Sequence, residues 1–306
     1  MEKHVSYRTV LIGYIFTLEN INIIIIFILY YNNIKNFMNL NKLKIEDIIY
    51  DTILKNKNIG HFYSNNYISK KHSLNDIITE IIYVLKTGIS WRNLRSHINY
   101  NSIYYHFKRF VNNNIFIDAY NSILNSYLQK IKNINGIIID SSFIQNKFGK
   151  GNIKRNKFFK NKKCFKLSII TDFNNIPFSI LLANGNLHDS TIFDNHKDDI
   201  LKYKKNIPKN SNFLADKGYI SKNINNFCTN NNIVYLVPNK INSKKPPFTD
   251  EQNIIYKKRL FIEHLYARIK QFRRIALIYD SKFNTYNNFL YLALSIIMLE
   301  KIRKIC

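Results

Sequence analysis

Tyr256-x2-Arg259-x3-Glu263-x6-Lys270 is the pattern in this chain best suited to chemistry. In a helix, steps of three, four and seven residues bring all four side chains to one face. One carboxylate then stands between two cations and a phenol, in a sequence with only seven Glu. Such a grouping can grip a metal ion and the phosphate beside it. At the chain's own residue frequencies the pattern arises by chance in roughly 0.2% of such sequences. Taken alone, it reads first as a solvated helix face with an i,i+4 Arg–Glu pair.

Two aspartates change that balance. Asp140 follows Ile137-Ile138-Ile139 and Asp216 follows Phe213-Leu214-Ala215, both short apolar runs with strand character. Ligand sites in open α/β sheets gather where strands end. If the two strands are neighbours and the helix crosses beside them, Asp140, Asp216 and Glu263 converge. Three carboxylates in one place repel and shift one another's pKa unless a cation joins them. Mg²⁺ fits this need, because it is a hard ion, held by one or two carboxylates while water and substrate phosphate complete its shell. Two such ions about 4 Å apart, with Mn²⁺ as a substitute, would activate an attacking oxygen and stabilise the leaving one in an in-line phosphoryl transfer. Each Asp by itself reads as a turn residue, Asp140 before Ser141-Ser142 and Asp216 before Gly218.

The elements that must position these groups fall into two segments. Residues 40–130 pattern as helices, among them Leu74–Lys86 with Ser73 as N-cap and Ser102–Val111 carrying His106, Lys108 and Arg109. Thr87-Gly88-Ile89-Ser90 breaks the first of these, which suggests a helix-turn-helix-like DNA-binding module; plain three-helix packing gives the same pattern. From residue 131 to 306 strands at 137–139, 165–172 and 177–183 come first, the last two joined by a hairpin-like turn at Asn175. A single helix over 191–203 and then alternating strand and helix follow, ending in a long helix with Glu263 and an apolar helix at 287–302. That order predicts an α/β domain, a mixed sheet flanked by helices.

The bulk composition bounds the partners. The 306 residues hold 46 Lys+Arg against 20 Asp+Glu, a formal +26. A surplus of that size points to a polyanion, with nucleic acid ahead of an anionic membrane surface. Part of the Lys, Asn and Ile excess reflects AT-rich codons, so the placement of charge matters more than its sum. Between Lys147 and Lys166 there are nine Lys/Arg and no acid, Lys154 and Arg155 among them, with Phe148, Phe158 and Phe159 interleaved. This run begins just after the Asp140 strand, where DNA phosphates would release counterions; a solvated loop is the competing reading. Cys164, Cys228 and Cys306 match no metal spacing and read as reduced thiols. Residues 1–39 read as a hydrophobic N-terminal extension, with 1–37 expected to be a dispensable segment or an upstream-start artefact ahead of Met38 and a peripheral or single-span anchor as the competing reading. Its unbroken apolar part, Ile23–Tyr31, is too short to span a bilayer, so a membrane partner is not expected.

Together these residues resemble the DDE transposases of bacterial insertion sequences, in the superfamily named for insertion sequences four and five. The resemblance rests on Ile139-Asp140-Ser141, Ala215-Asp216-Lys217-Gly218-Tyr219, and Tyr256, Arg259, Glu263 and Lys270. Lys166, Gly185-Asn186-Leu187-His188-Asp189 and Thr87-Gly88-Ile89-Ser90-Trp91-Arg92-Asn93-Leu94 echo further family segments, over about residues 50 to 300. It implies an RNase H-like catalytic core with Asp140, Asp216 and Glu263 as catalytic metal ligands. It also implies DNA contacts by Tyr256, Arg259, Lys270, Lys166 and Lys217. The implied activity is cleavage at the element's ends, then joining of the freed 3′-hydroxyls to target DNA. Its partners would be double-stranded terminal inverted repeats and target DNA, bound by a homodimer. No small-molecule cofactor is expected, and the location would be cytoplasmic, on the nucleoid. The chain departs from the family at Arg274-Ile275-Ala276-Leu277-Ile278-Tyr279-Asp280-Ser281, which lacks a second Arg and a Lys. That loss removes two cations and none of the metal ligands. A transposase-derived DNA-binding protein without catalysis is the alternative, which the intact Asp140, Asp216 and Glu263 argue against.

Overall fold

The computed structural model describes residues 43–64, 72–146, 153–239, 246–280 and 282–305. The hydrophobic extension, Lys147, Lys150, Phe148, Cys306 and part of the Lys/Pro-rich loop before the Glu263 helix lie outside them. Lys44–Ile305 forms one compact unit.

Helices α1 (Ile45–Lys55), α2 (Gly60–Ser64), α3 (Leu74–Thr87), α4 (Tyr100–Asn112) and α5 (Ile115–Ile131) come first. Ser73 caps α3 as its sequence implies, accepting from Asp76 N while the Asp76 carboxylate reaches back. Gly88 ends the helix in the left-handed region (φ 68°), where a side chain would be strained. A 3₁₀ turn at Trp91–Asn93 leads into α4. Trp91 packs on Phe107 of α4, and both rings stack on Phe289 of the last helix. The helical segment is thereby packed onto the same body as the sheet.

Strands β1 (Ile137–Gln145), β2 (Arg155–Asn156), β3 (Lys162–Asp172), β4 (Pro177–Asn184), β5 (Ser211–Leu214) and β6 (Ile233–Leu236) form one mixed sheet. β3 lies antiparallel between β1 and β4, and β2 pairs with its first residues. β5 runs parallel to β1, and β6 parallel to β5. This is an RNase H-like α/β arrangement. β1 is longer than its apolar triplet suggests, because pairing with β3 continues to Gln145↔Cys164. Asp140 therefore sits within the strand and not at its end.

Helices α6 (Asp189–Asp194), α7 (Lys197–Lys202) and α8 (Lys222–Asn230) cover the sheet between strands. The expected single helix at 191–203 is broken at Asn195-His196, where buried His196 bonds Ser168 (2.8 Å) and Ser179 (2.7 Å). α9 (Asp250–Tyr256) and α10 (Leu260–Ile269) follow, joined by a 3₁₀ turn at Lys257–Arg259. α11 (Arg273–Ala276) and α12 (Phe283–Ile305) close the chain. α12 is buried along most of its length, as its apolar sequence demands, and packs along α5. Among the described residues no helix is long and apolar enough to cross a membrane.

Candidate active site

The β1–β5 register decides where the two aspartates fall. Ile137 pairs with Phe213 and Ile138 with Leu214. The pairing stops at Leu214, two residues before Asp216, and the charge of Asp216 reaches Asp140 across this gap. The strands are held there by side chains buried completely on both faces, Ile137 to Ile139 and Phe213 to Ala215. Asp216 turns its Oδ1 to the backbone N–H of Gly218 (2.7 Å), capping the 3₁₀ turn Lys217–Tyr219. The turn role read for this residue is thus present alongside its place at the sheet edge.

The segment from α9 through α10 is stitched across these strand ends by its side chains. Tyr256 donates to Ala215 O (3.1 Å), directly before Asp216. Arg259 donates to Asp140 Oδ2 (3.2 Å) and Glu263 Oε1 (2.6 Å), so one guanidinium holds both carboxylates. Lys270 donates to Ser142 Oγ (2.7 Å). Buried Tyr266 shares its hydroxyl proton between Asp140 O (2.6 Å) and Leu167 O (3.0 Å). Sequence reasoning missed Tyr266: it carries no charge and lies on the buried side of α10, so nothing in its spacing distinguished it from core.

Burial drives the electrostatics. Asp140 is pushed up to about 6, mainly by desolvation and further by the charges of Asp216 and Glu263. The Ser141 N–H and the Arg259 cation pull the other way. Lys270 is lowered by burial. Among the described residues no three His, Cys, Asp or Glu side chains are gathered tightly enough to hold a metal ion as they stand. Arg259 supplies the positive charge between Asp140 and Glu263 instead. The donors themselves are carboxylate oxygens, the chemistry a hard divalent ion takes. A metal ion there would compete with the guanidinium for the same oxygens.

The basic residues divide. Lys154, Arg155 and Lys217 are exposed, and Arg155 also bonds Asn161 O (3.0 Å). Lys166 is not available to a phosphate. It is 5% exposed, under the ring of Phe143 (5.2 Å), with its ammonium on Leu187 O (2.9 Å) and Asp189 (3.2 Å). β3 is buried from Cys164 to Asp172, so neither of its alternating sides offers Lys166 a way to water. His188 caps α6 and bonds Ser190. Arg274 and Asp280, in the segment that departs from the resembled family, hold each other in a buried two-point ion pair (2.8 and 3.1 Å).

A family model described as a transposase DDE domain matches residues 132–298. The chain is also similar to solved structures. A cryo-EM structure of a piggyBac transposase synaptic complex with hairpin DNA shares 8% identity at a TM-score of 0.50, covering 86% of this chain and 76% of that one. The catalytic domain of Mos1 mariner transposase shares 13% identity at a TM-score of 0.25, over 62% of this chain and 90% of that one. A pre-cleavage Mos1 transpososome shares 10% at 0.27, over 77% and 79%. The first of these likenesses speaks for the fold alone. No curated protein sequence matches this chain.

Proposed function

The chain belongs to the transposase DDE domain family, and from that premise we propose that it moves an insertion sequence by cutting at its ends and joining the 3′-hydroxyls to target DNA. What supports the reading is the parallel β1–β5 pair, which ends just short of Asp140 and Asp216, together with Arg259, which tethers Glu263 to Asp140. Asp140, Asp216 and Glu263 are the residues that would hold Mg²⁺, two ions in the full site. When bound, the ions would supply Lewis-acid activation of the attacking oxygen and stabilisation of the leaving one.

The chain's own residues do the rest. Release of Arg259 from the two carboxylates frees its planar fork for a phosphate, which it can grip at two points. Lys270 and Tyr256, at either end of this segment, would flank that phosphate, with Lys217 exposed beside Asp216. Lys154 and Arg155 would track the backbone of the same duplex. On the helical segment, α4 turns Asn101, Tyr104, Tyr105, Lys108 and Asn112 outward with no acid among them. That acid-free face suits DNA, and residues 40–130 are proposed as the module that binds the terminal repeats. Each active centre handles one end, so two copies are proposed on one element. This reading keeps the superfamily of insertion sequences four and five as the group whose chemistry the chain would share.

The test uses duplex ends taken from inverted repeats flanking the coding sequence. With Mg²⁺, the protein should cleave at the 3′ end of the element. Asp216→Asn should lose cleavage by several orders of magnitude while binding the duplex nearly as well. Cleavage by the variant at the wild-type rate removes Asp216 from the mechanism.

A further inference from the structure

Asp189 is a carboxylate outside the proposed ligand set that nonetheless touches the neighbours of both ligand aspartates. Its Oδ1 accepts from Ser141 Oγ (2.6 Å), the residue after Asp140, and from the ammonium of Lys166 (3.2 Å). Its Oδ2 faces the turn after Asp216: a Cβ built on Gly218 would stand 3.2 Å from it and 2.9 Å from Asp216 Oδ1. A side chain at 218 would press on both carboxylates. The Lys166 side chain is 6% exposed and that of Asp189 21%, so the ion pair is largely removed from water. A buried cation left alone costs far more than the pair.

Resting on the metal-holding role assigned above to Asp140 and Asp216, we propose that Asp189 is a positioning residue of this site. It cancels the charge of Lys166, accepts from Ser141 and lies against the Gly218 turn. The two aspartates thus keep their places, and their negative charge remains available to a divalent cation.

The experiment titrates the DNA-free full chain with Mn²⁺ alone, by calorimetry, alongside thermal unfolding. Asp189→Asn keeps an oxygen for Ser141 and removes only the charge, leaving Lys166 uncancelled beside Ser141, the residue after Asp140. Its Mn²⁺ dissociation constant should rise roughly tenfold or more. Adding Lys166→Met to that variant should bring the constant back to within about threefold of wild type. A merely structural role would lower the melting temperature of both variants without any such recovery of affinity. Wild-type affinity in Asp189→Asn overturns the proposal, as does a double variant as weak as the single one. Asp216→Asn serves as the control. Unchanged Mn²⁺ binding there places the ion elsewhere and overturns the metal reading itself, and this proposal with it. Loss of binding in Asp216→Asn together with no effect in Asp189→Asn overturns this proposal alone.

Discussion

Arg259 faces two carboxylates with one guanidinium. Burial raises Asp140 to about 6, its acidic neighbours push it further, and the Ser141 N–H and Arg259 hold it down. Arg259→Ala should therefore raise the Asp140 pKa further, and Asp216→Asn should lower it. Carbon-detected NMR titration of the side-chain carboxyl reads both, and a shift in the opposite sense for either variant breaks the account. At this scale the sequence is informative. The spacing of Tyr256, Arg259, Glu263 and Lys270 is a local property that turns Tyr256, Arg259 and Lys270 toward β1 and β5, although a 3₁₀ turn at Lys257–Arg259 interrupts the expected helix. Lys166, by resemblance a DNA contact, turns out to be buried, because the two strands and the loop around it close over its side chain.

Helix α10 is fixed to the sheet by Tyr266, whose hydroxyl reaches the main chain of both β1 and β3. Tyr266→Phe leaves two strand carbonyls without that donor and should cost about 1–2 kcal/mol of stability. Denaturant unfolding checks it; an unchanged midpoint means water replaces the hydroxyl. Element types are mostly legible: α3 with its Ser73 cap, the β3–β4 hairpin around Asn175, and apolar α12 all stand where patterning puts them. Boundaries are less so. β1 runs six residues beyond its apolar triplet because β3 supplies partners out to Cys164. The single helix expected through 191–203 breaks at Asn195-His196, next to the polar bonds made by His196 inside the sheet.

Among the described residues burial raises Asp140 and Asp172 to about 6 and raises Asp118 as well, and stability should follow pH accordingly. Asp172, 2% exposed, accepts from Tyr127 Oη and from Ile176 N (2.8 Å), yet burial raises it to about 6. Its unfolded value is about 3.9. A group raised in the folded state lends stability that is complete below the unfolded pKa and lost as pH rises through the folded one. Between about pH 4 and pH 6 Asp172 should thus withdraw roughly 3 kcal/mol. Asp172→Asn should flatten that part of the urea-midpoint profile, leaving the share due to Asp140 and Asp118. A profile of unchanged slope would show that Asp172 is ionised at little cost.

The sequence by itself determined the chemistry on offer: two strand aspartates, one helical face of Tyr, Arg, Glu and Lys, a basic stretch, and an order of elements that admits a mixed sheet. These are local facts, set by residue type, helix period and apolar runs. Only the tertiary structure decided that β5 lies parallel to β1 and that the charge of Asp216 reaches Asp140. It alone decided that Lys166 turns inward to Asp189 and that Arg259 bridges Asp140 and Glu263. Strand neighbours and long-range ion pairs depend on which surfaces pack together, and no window along the chain contains that information.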